Sequence, residues 1–165
     1  MRTDISNTAG VESRLWEAIE DHHIGMLAPA GAARIHAQPM TAFPERSNRE
    51  LWFFSRRDTN LARMIGESLP AMFTVQYRDL YACMGGDLRI IADPMRMERY
   101  WNAVVAAWHP GGRRDPNLTM LSLEVHDAQV WLSDAGPVKF AWEIAKANAT
   151  RHAPDLGGRT HLAFH

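Results

Sequence analysis

Residues 35–60 constrain the fold of this chain more than any other segment. Residues 35–40 alternate small or apolar side chains with polar ones, and residues 51–54 form an aromatic run. That run leads straight into a basic turn and a helix start, Ser55-Arg56-Arg57-Asp58-Thr59. The pattern predicts two strands followed by a turn whose N–H and guanidinium groups can hold a phosphate while strand side chains contact a planar ring. Flavin mononucleotide (FMN) has this shape.

Short strands joined by tight turns, with helices between them, predict a mainly β fold with flanking helices, an antiparallel barrel. Amphipathic helices are predicted at residues 11–22 and 137–148, and one continuous helix at residues 93–108. Strands are predicted at residues 24–28, 33–40, 71–77, 80–92, 119–125 and 129–131. No Gly-rich phosphate loop lies between a strand and a helix, which argues against a parallel nucleotide-binding sheet.

Glycines mark two further features of the chain. Gly85 and Gly86 interrupt a strand, which predicts a bulge or a bend. Residues 151–165 are rich in Gly and His and are predicted to form a flexible tail. The expected organisation is therefore one domain at residues 1–150 with a tail after it.

Several motifs together carry a family resemblance, namely Gln38-Pro39-Met40, Leu51-Trp52-Phe53-Phe54-Ser55, Arg57-Asp58 and Ala107-Trp108-His109-Pro110-Gly111-Gly112. In their order and spacing the chain resembles the general stress protein 26 branch of the pyridoxamine 5′-phosphate oxidase-like proteins, from about residue 15 to residue 147. The resemblance implies a split β-barrel that binds FMN, with FAD or a deazaflavin as the alternative, usually at the interface of a homodimer.

The resemblance also implies which residues contact the cofactor. It places phosphate contacts near Arg56, Arg57 and Arg63, and a ring contact, often from the partner subunit, near Trp108. The full set of candidate cofactor-binding residues is Gln38, Pro39, Met40, Trp52, Phe53, Phe54, Ser55, Arg56, Arg57, Arg63 and Trp108. Alternation along a strand puts Trp52 and Phe54 on one face and Phe53 on the other, so that at most one of these faces can meet a ligand. The alternative is barrel core for the aromatic residues and solvated surface for the arginines.

Two positions depart from the family pattern. The family commonly has arginine where this chain has Gln38, and lysine where it has Leu61. Each lost charged hydrogen bond to phosphate costs about 1.5–3 kcal/mol. Gln38→Arg with Leu61→Lys is therefore expected to tighten FMN binding, unless Arg56 or Arg63 already compensates.

The resemblance implies an oxidoreductase in which the flavin carries hydride or electrons between a reduced nicotinamide, or another small donor, and an unidentified acceptor. No catalytic residue is identified. A shared fold does not imply a shared substrate, so pyridoxamine phosphate is not expected to be the substrate of this chain. The alternative is a non-catalytic small-ligand-binding or stress protein with a degenerate flavin site.

Composition excludes several other classes. Lys and Arg total 18 and Asp and Glu total 19, so no net field favours nucleic acid or an anionic membrane surface. Cys83 is the only cysteine, no apolar run reaches membrane-spanning length, and residues 1–6 lack an apolar export signal. A cytoplasmic protein is expected. The adjacent pair His22 and His23 cannot share a helix face, and no metal site is predicted.

Overall fold

The computed structural model describes residues 7–31, 35–133 and 136–164. In this part of the chain eight strands form one antiparallel sheet. They are β1 Ile24–Pro29, β2 Gln38–Thr41, β3 Phe43–Glu45, β4 Glu50–Arg56, β5 Leu69–Tyr77, β6 Leu80–Ile90, β7 Leu118–Ser133 and β8 Gly157–Ala163. The order is β2-β1-β5-β6-β7-β4-β3, and β8 also pairs with β7. The predicted mainly β class is confirmed, whereas the predicted strand at residues 33–40 begins only at Gln38, with residues 33 and 34 outside the described part.

Strand β7 organises the sheet. Its 16 residues pair with β6 along most of their length, with β4 through the first half and with β8 through the second. The sequence predicted two strands here, at residues 119–125 and 129–131, and the structure joins them. The predicted irregularity at Gly85 and Gly86 is confirmed, since the register of β6 on β7 shifts between them. Only glycine fits at position 86, because a Cβ there would lie 1.9 Å from the carbonyl oxygen of Glu124.

Five helices flank the sheet in the described residues: α1 Thr8–Asp21, α2 Asn60–Met64, α3 Pro94–Tyr100, α4 Ala103–Trp108 and α5 Pro137–Thr150. The predicted single helix at residues 93–108 is wrong, because it divides into α3 and α4. Trp101 takes an extended backbone with ψ of 124°, and the side chain of Asn102 then caps α4 by accepting the N–H of Val105 at 2.9 Å. The break turns Trp108 and His109 toward the end of β4.

The C-terminal segment corrects a second expectation. Residues 151–165 were predicted to form a flexible tail, yet Gly157–Ala163 is strand β8, paired with β7 from Ser133↔Gly157 to Asp127↔Ala163. Thr160 and Leu162 are buried against the sheet. Successive side chains of a strand point to opposite faces of the sheet, so Thr160 and Leu162 are buried while their neighbours are exposed. This Gly-rich and His-rich segment can therefore form a strand with only two buried side chains.

The sheet separates two apolar cores. The main core lies between the sheet and α1 and includes Leu15, Trp16, Phe53 and Phe73. The second core lies on the other side of β4 and β7, under α3 and α4, and consists of Trp52, Phe54, Val105, Leu118 and Met120. Phe53 thus faces away from Trp52 and Phe54, as the alternation predicted. None of the helices in the described residues has the length and apolar character needed to span a membrane.

Candidate functional site

A pocket of about 320 Å³ lies between β2, the end of β4 and α4. Its lining combines apolar side chains with hydrogen-bonding ones. The apolar lining residues are Ile24, Pro39, Met40, Phe43, Phe54, Val104, Val105 and Trp108. The polar lining residues are Gln38, Thr41, Ser55, Arg56, Thr59 and His109. A flat apolar body with a polar or anionic end matches this division of the lining.

Three elements bring these residues together. Strand β4 presents Phe54 to the pocket because its neighbour Phe53 faces the main core. Strand β2 pairs with β1, with Met40 opposite Gly25, and so aligns its Gln-Pro-Met segment along the rim. Helix α4 ends at Trp108, whose side chain is 77% exposed in the single chain. The pocket therefore depends on the β4 alternation and on the break between α3 and α4.

Seven of the residues predicted from the sequence line this pocket: Gln38, Pro39, Met40, Phe54, Ser55, Arg56 and Trp108. The other four do not. Phe53 is fully buried in the main core, 5.4 Å between ring centroids from Phe73. Trp52 is buried in the second core, and its indole N–H donates to Glu50 at 3.0 Å.

The two remaining arginines also lie outside the pocket lining. Arg57 is exposed, and its backbone N–H donates to the carbonyl of Asn117 at 2.8 Å, which extends the β4–β7 ladder by one residue. Arg63 lies in the last turn of α2. Of the three predicted phosphate contacts, only Arg56 is among the residues that line the pocket.

Arg56 is held by two carboxylates. Its Nε and Nη2 donate to the two oxygens of Asp58, each at 3.0 Å, and its Nη1 donates to Oδ2 of Asp115 at 2.9 Å. Hydrogen bonding to Asp58, with a smaller contribution from Asp115, raises the pKa of Arg56. The guanidinium is 38% exposed, so that a ligand can reach it. A phosphate here would meet a cation whose charge is already balanced.

His109 is a pocket residue that the sequence did not single out. Its Nδ1 is buried and has no hydrogen-bond partner among the described residues, and its ring lies 6.1 Å from that of Phe54. Burial, followed by the charge of Arg56, lowers its pKa. The side chain is therefore a neutral imidazole at neutral pH. Its position directly after Trp108 was the one available signal.

Leu61, one of the two departures from the family pattern, is not a pocket residue. It is 1% exposed and packs in the main core, because α2 places it under the sheet. A lysine at this position would bring its charge into an apolar interior rather than to a phosphate. The expectation that Leu61→Lys strengthens the site is therefore corrected, whereas Gln38 does line the pocket.

The described residues of the site show no activated nucleophile, since the hydroxyl groups of Ser55 and Thr59 donate to the backbone carbonyl of Arg56 rather than to a base. Cys83 lies elsewhere, on β6, where burial and then the charge of Asp127 raise the pKa of its thiol. Within residues 7–31, 35–133 and 136–164, no three His, Cys, Asp or Glu side chains are grouped as a metal ion requires. The pocket can bind and orient a flat molecule and shield one of its faces from water.

Comparison with known proteins gives consistent matches. A family model described as "Pyridoxamine 5'-phosphate oxidase like" matches residues 11–155. The crystal structure of a putative general stress protein 26 from Jannaschia sp. CCS1 is 30% identical, with a TM-score of 0.74 over 94% of this chain and 99% of that one. The general stress FMN/FAD binding protein from Xanthomonas citri is 35% identical, with a TM-score of 0.71 over 78% of this chain and 92% of that one. A search of curated proteins gave no significant match.

Proposed function

Because this chain belongs to the pyridoxamine 5′-phosphate oxidase-like family, whose split-barrel fold it shares, we propose that it binds a flavin in the pocket between β2, β4 and α4. FMN is the first candidate and FAD the second, since the similar Xanthomonas citri protein is an FMN/FAD binding protein. One observation supports the proposal most: Phe54, Met40 and Trp108 line the same pocket as the cationic side chain of Arg56.

The apolar wall suits an isoalloxazine ring. Phe54 and Met40 offer flat or polarisable surface, and Trp108 at the mouth can cover the ring and limit solvent access. Gln38, Thr41 and His109 supply the hydrogen-bonding groups that a flavin's polar edge requires. The buried Nδ1 of His109, without a partner in the described structure, supports this assignment because an unpaired buried polar atom is costly until a ligand satisfies it.

We propose that the bound flavin serves a redox reaction. When bound, a flavin supplies hydride and single-electron chemistry, so that the protein needs only to hold, orient and shield it. The neutral His109 agrees with such a role, as do the hydroxyl groups of Ser55 and Thr59, which donate to a backbone carbonyl rather than to a base. The donor is proposed to be a reduced nicotinamide or another small molecule, and the single Cys83 supports a cytoplasmic location.

The proposal includes a homodimer. Large apolar side chains are exposed along one side of the sheet, here called the outer sheet face: Ile24, Met26, Met72, Tyr81 and Trp131. Tyr81 and Trp131 are direct cross-strand neighbours, and Ile24 also lines the pocket. A second copy on this face would cover the apolar patch and bring the partner against the mouth of the pocket, where Trp108 is exposed.

A second candidate function is non-catalytic binding of a small ligand at a degenerate flavin site. Two observations favour it. Gln38 is uncharged at the rim, and the guanidinium of Arg56 is already paired with Asp58 and Asp115. Both features weaken the affinity for a phosphate without altering the apolar wall.

Flavin content tests the proposal. Freshly purified protein, or protein incubated with FMN and desalted, should show flavin absorbance near 450 nm, about one flavin per chain. Arg56→Gln should weaken FMN binding in a fluorescence titration by about tenfold or more, whereas Arg57→Gln, the adjacent exposed arginine, should change it by less than about twofold. Equal effects of the two variants on the Kd for FMN would show that Arg56 does not contact the phosphate.

Reduction separates the two candidate functions. Anaerobic addition of a reduced nicotinamide should bleach the flavin absorbance at a catalytically useful rate if the protein is an oxidoreductase. Tight FMN binding with no reduction by nicotinamides or by a panel of other small donors would favour the non-catalytic role. Absence of flavin binding at millimolar FMN would overturn both.

A further inference from the structure

Arg56 is the only side chain in the pocket wall that carries a permanent positive charge among the described lining residues. Three of its five N–H groups are already engaged, those on Nε and Nη2 with Asp58 and one on Nη1 with Asp115. A ligand phosphate can therefore contact this guanidinium only by replacing a carboxylate or by sharing a nitrogen with one. Phosphate binding therefore either displaces a carboxylate or places the phosphate beside one, and both lower the free energy that the contact gains.

Asp115 is held in place independently of Arg56. Its Oδ1 accepts the backbone N–H of Asn117 at 2.9 Å, and its carbonyl accepts the N–H of Leu118 at 3.0 Å. The carboxylate also lies against Gly111, where a Cβ would approach Oδ2 to 2.6 Å. These contacts hold the Asp115 carboxylate beside Arg56 whether or not the arginine pairs with it.

Asp58 differs from Asp115 in this respect. It is only two residues from Arg56, both of its oxygens accept from that arginine, and its side chain is 44% exposed, against 15% for Asp115. Hydrogen bonding to Arg56 lowers the pKa of Asp58, so it is ionised at neutral pH. Two carboxylates, one of them more exposed than the other, therefore share one guanidinium.

We infer that Asp58 and Asp115 are specificity-determining residues of this pocket, which hold Arg56 and thereby reduce its preference for phosphorylated over unphosphorylated ligands. This inference rests on the proposed flavin site. Either carboxylate lowers the affinity for a phosphate by occupying its partner and by repelling its charge. A flavin without the phosphate escapes both effects, because its ring meets the apolar wall formed by Phe54 and Trp108.

The experiment compares FMN with riboflavin, which has the same ring system and no phosphate. Asp115→Asn keeps an oxygen for the N–H of Asn117 and replaces the oxygen facing Arg56 with an NH₂ group, which frees Nη1 of Arg56 while Asp58 still holds Nε and Nη2. Asp58→Asn removes the other competitor. Each variant should lower the Kd for FMN by about threefold to thirtyfold and change the Kd for riboflavin by less than about twofold.

Asp79→Asn is the matched control. Asp79 pairs with Arg14 at 2.8 Å, remote from the pocket lining, and its replacement changes the net charge by the same amount. Asp79→Asn should leave the ratio of the FMN and riboflavin Kd values unchanged. If Asp79→Asn changed this ratio as much as Asp115→Asn does, the effect would come from net charge alone, and the inference would be overturned.

The outcomes distinguish this inference from the proposed function. If the parent protein binds FMN and the variants have the same ratio of FMN and riboflavin Kd values as the parent, the inference is overturned. The proposed flavin site is then unaffected. A parent that binds FMN weakly, with variants that bind it well, supports both. If no variant binds either flavin, the proposed function fails and the inference falls with it. If Asp115→Asn does not fold, the ratio measured for Asp58→Asn decides.

Discussion

The guanidinium of Arg96 lies over the indole ring of Trp52, with its central carbon 4.3 Å from the ring centroid. The same guanidinium donates to both oxygens of Glu45, at 2.8 and 2.9 Å, and to Asp93 at 2.6 Å. Helix α3 is thereby attached to β3 and β4. Because α3 precedes α4, this contact also sets the position of the helix that brings Trp108 and His109 to the pocket.

We expect Arg96→Ala to lower the free energy of unfolding by about 2 kcal/mol or more, since it removes a cation–π contact and leaves the mostly buried Glu45 carboxylate without its main partner. Urea denaturation measures the loss. The control is Arg89→Ala, whose pair with Glu124 is about half exposed and should contribute less than about 1 kcal/mol. Equal losses in the two variants would contradict a structural role for the Arg96 cluster.

Glu45 predicts how stability depends on pH. Hydrogen bonding to Arg96, helped by Tyr100, lowers the pKa of Glu45 from its ordinary value of 4.5 to about 2. A carboxyl group with a depressed folded-state pKa stabilises the protein fully above pH 4.5, and the contribution is lost as the pH falls from 4.5 to 2. Glu45→Gln should therefore be less stable than the parent at pH 7, and the difference should narrow toward pH 2.5. A difference that stays constant across this range would contradict the pKa shift.

Gln38 and Leu61 should respond in opposite ways to an added charge. Gln38→Arg adds a cation to the pocket rim and should tighten FMN binding by about fivefold or more. Leu61→Lys places an ammonium group in the main core and should destabilise the fold by about 3 kcal/mol or more, without tightening FMN binding. Thermal unfolding and FMN titration of both variants measure the two effects. Leu61→Met, which keeps the volume, serves as the control for the core. A stable Leu61→Lys variant with tighter FMN binding would contradict the burial of this position.

The outer sheet face should decide the oligomeric state. Trp131→Asp introduces a charge beside Tyr81 and should convert the proposed dimer into a monomer at micromolar concentration. Val138 is 85% exposed and belongs to α5 rather than to a strand of this face, so Val138→Asp should leave the dimer intact. Light scattering coupled to size-exclusion chromatography gives the masses. A parent that is monomeric, or a Val138→Asp variant that alone dissociates, would contradict an interface on the outer sheet face.

Strand alternation was readable from the sequence because it is a local property. Trp52, Phe53 and Phe54 follow the period of two, so the sequence predicts which of them share a face. The irregularity at Gly85 and Gly86 was readable for the same reason, since it depends on a few neighbouring residues. The family resemblance also identified Gln38, Phe54, Arg56 and Trp108, all of which line one pocket.

Pairings between distant segments decided the rest. Local pattern alone does not show that Arg56 meets Asp115, 59 residues later, or that Leu61 turns into the main core while Arg56 remains at the pocket. Local pattern also does not show that the helix breaks at Trp101, whose ring packs on Phe54 of β4, or that His109 lies beside the same phenylalanine. The sequence by itself determined the periodicity of each element and the family of the chain. Which charges balance one another was decided only by the tertiary structure, because an ion pair depends on distances in space that the spacing of residues along the chain does not specify.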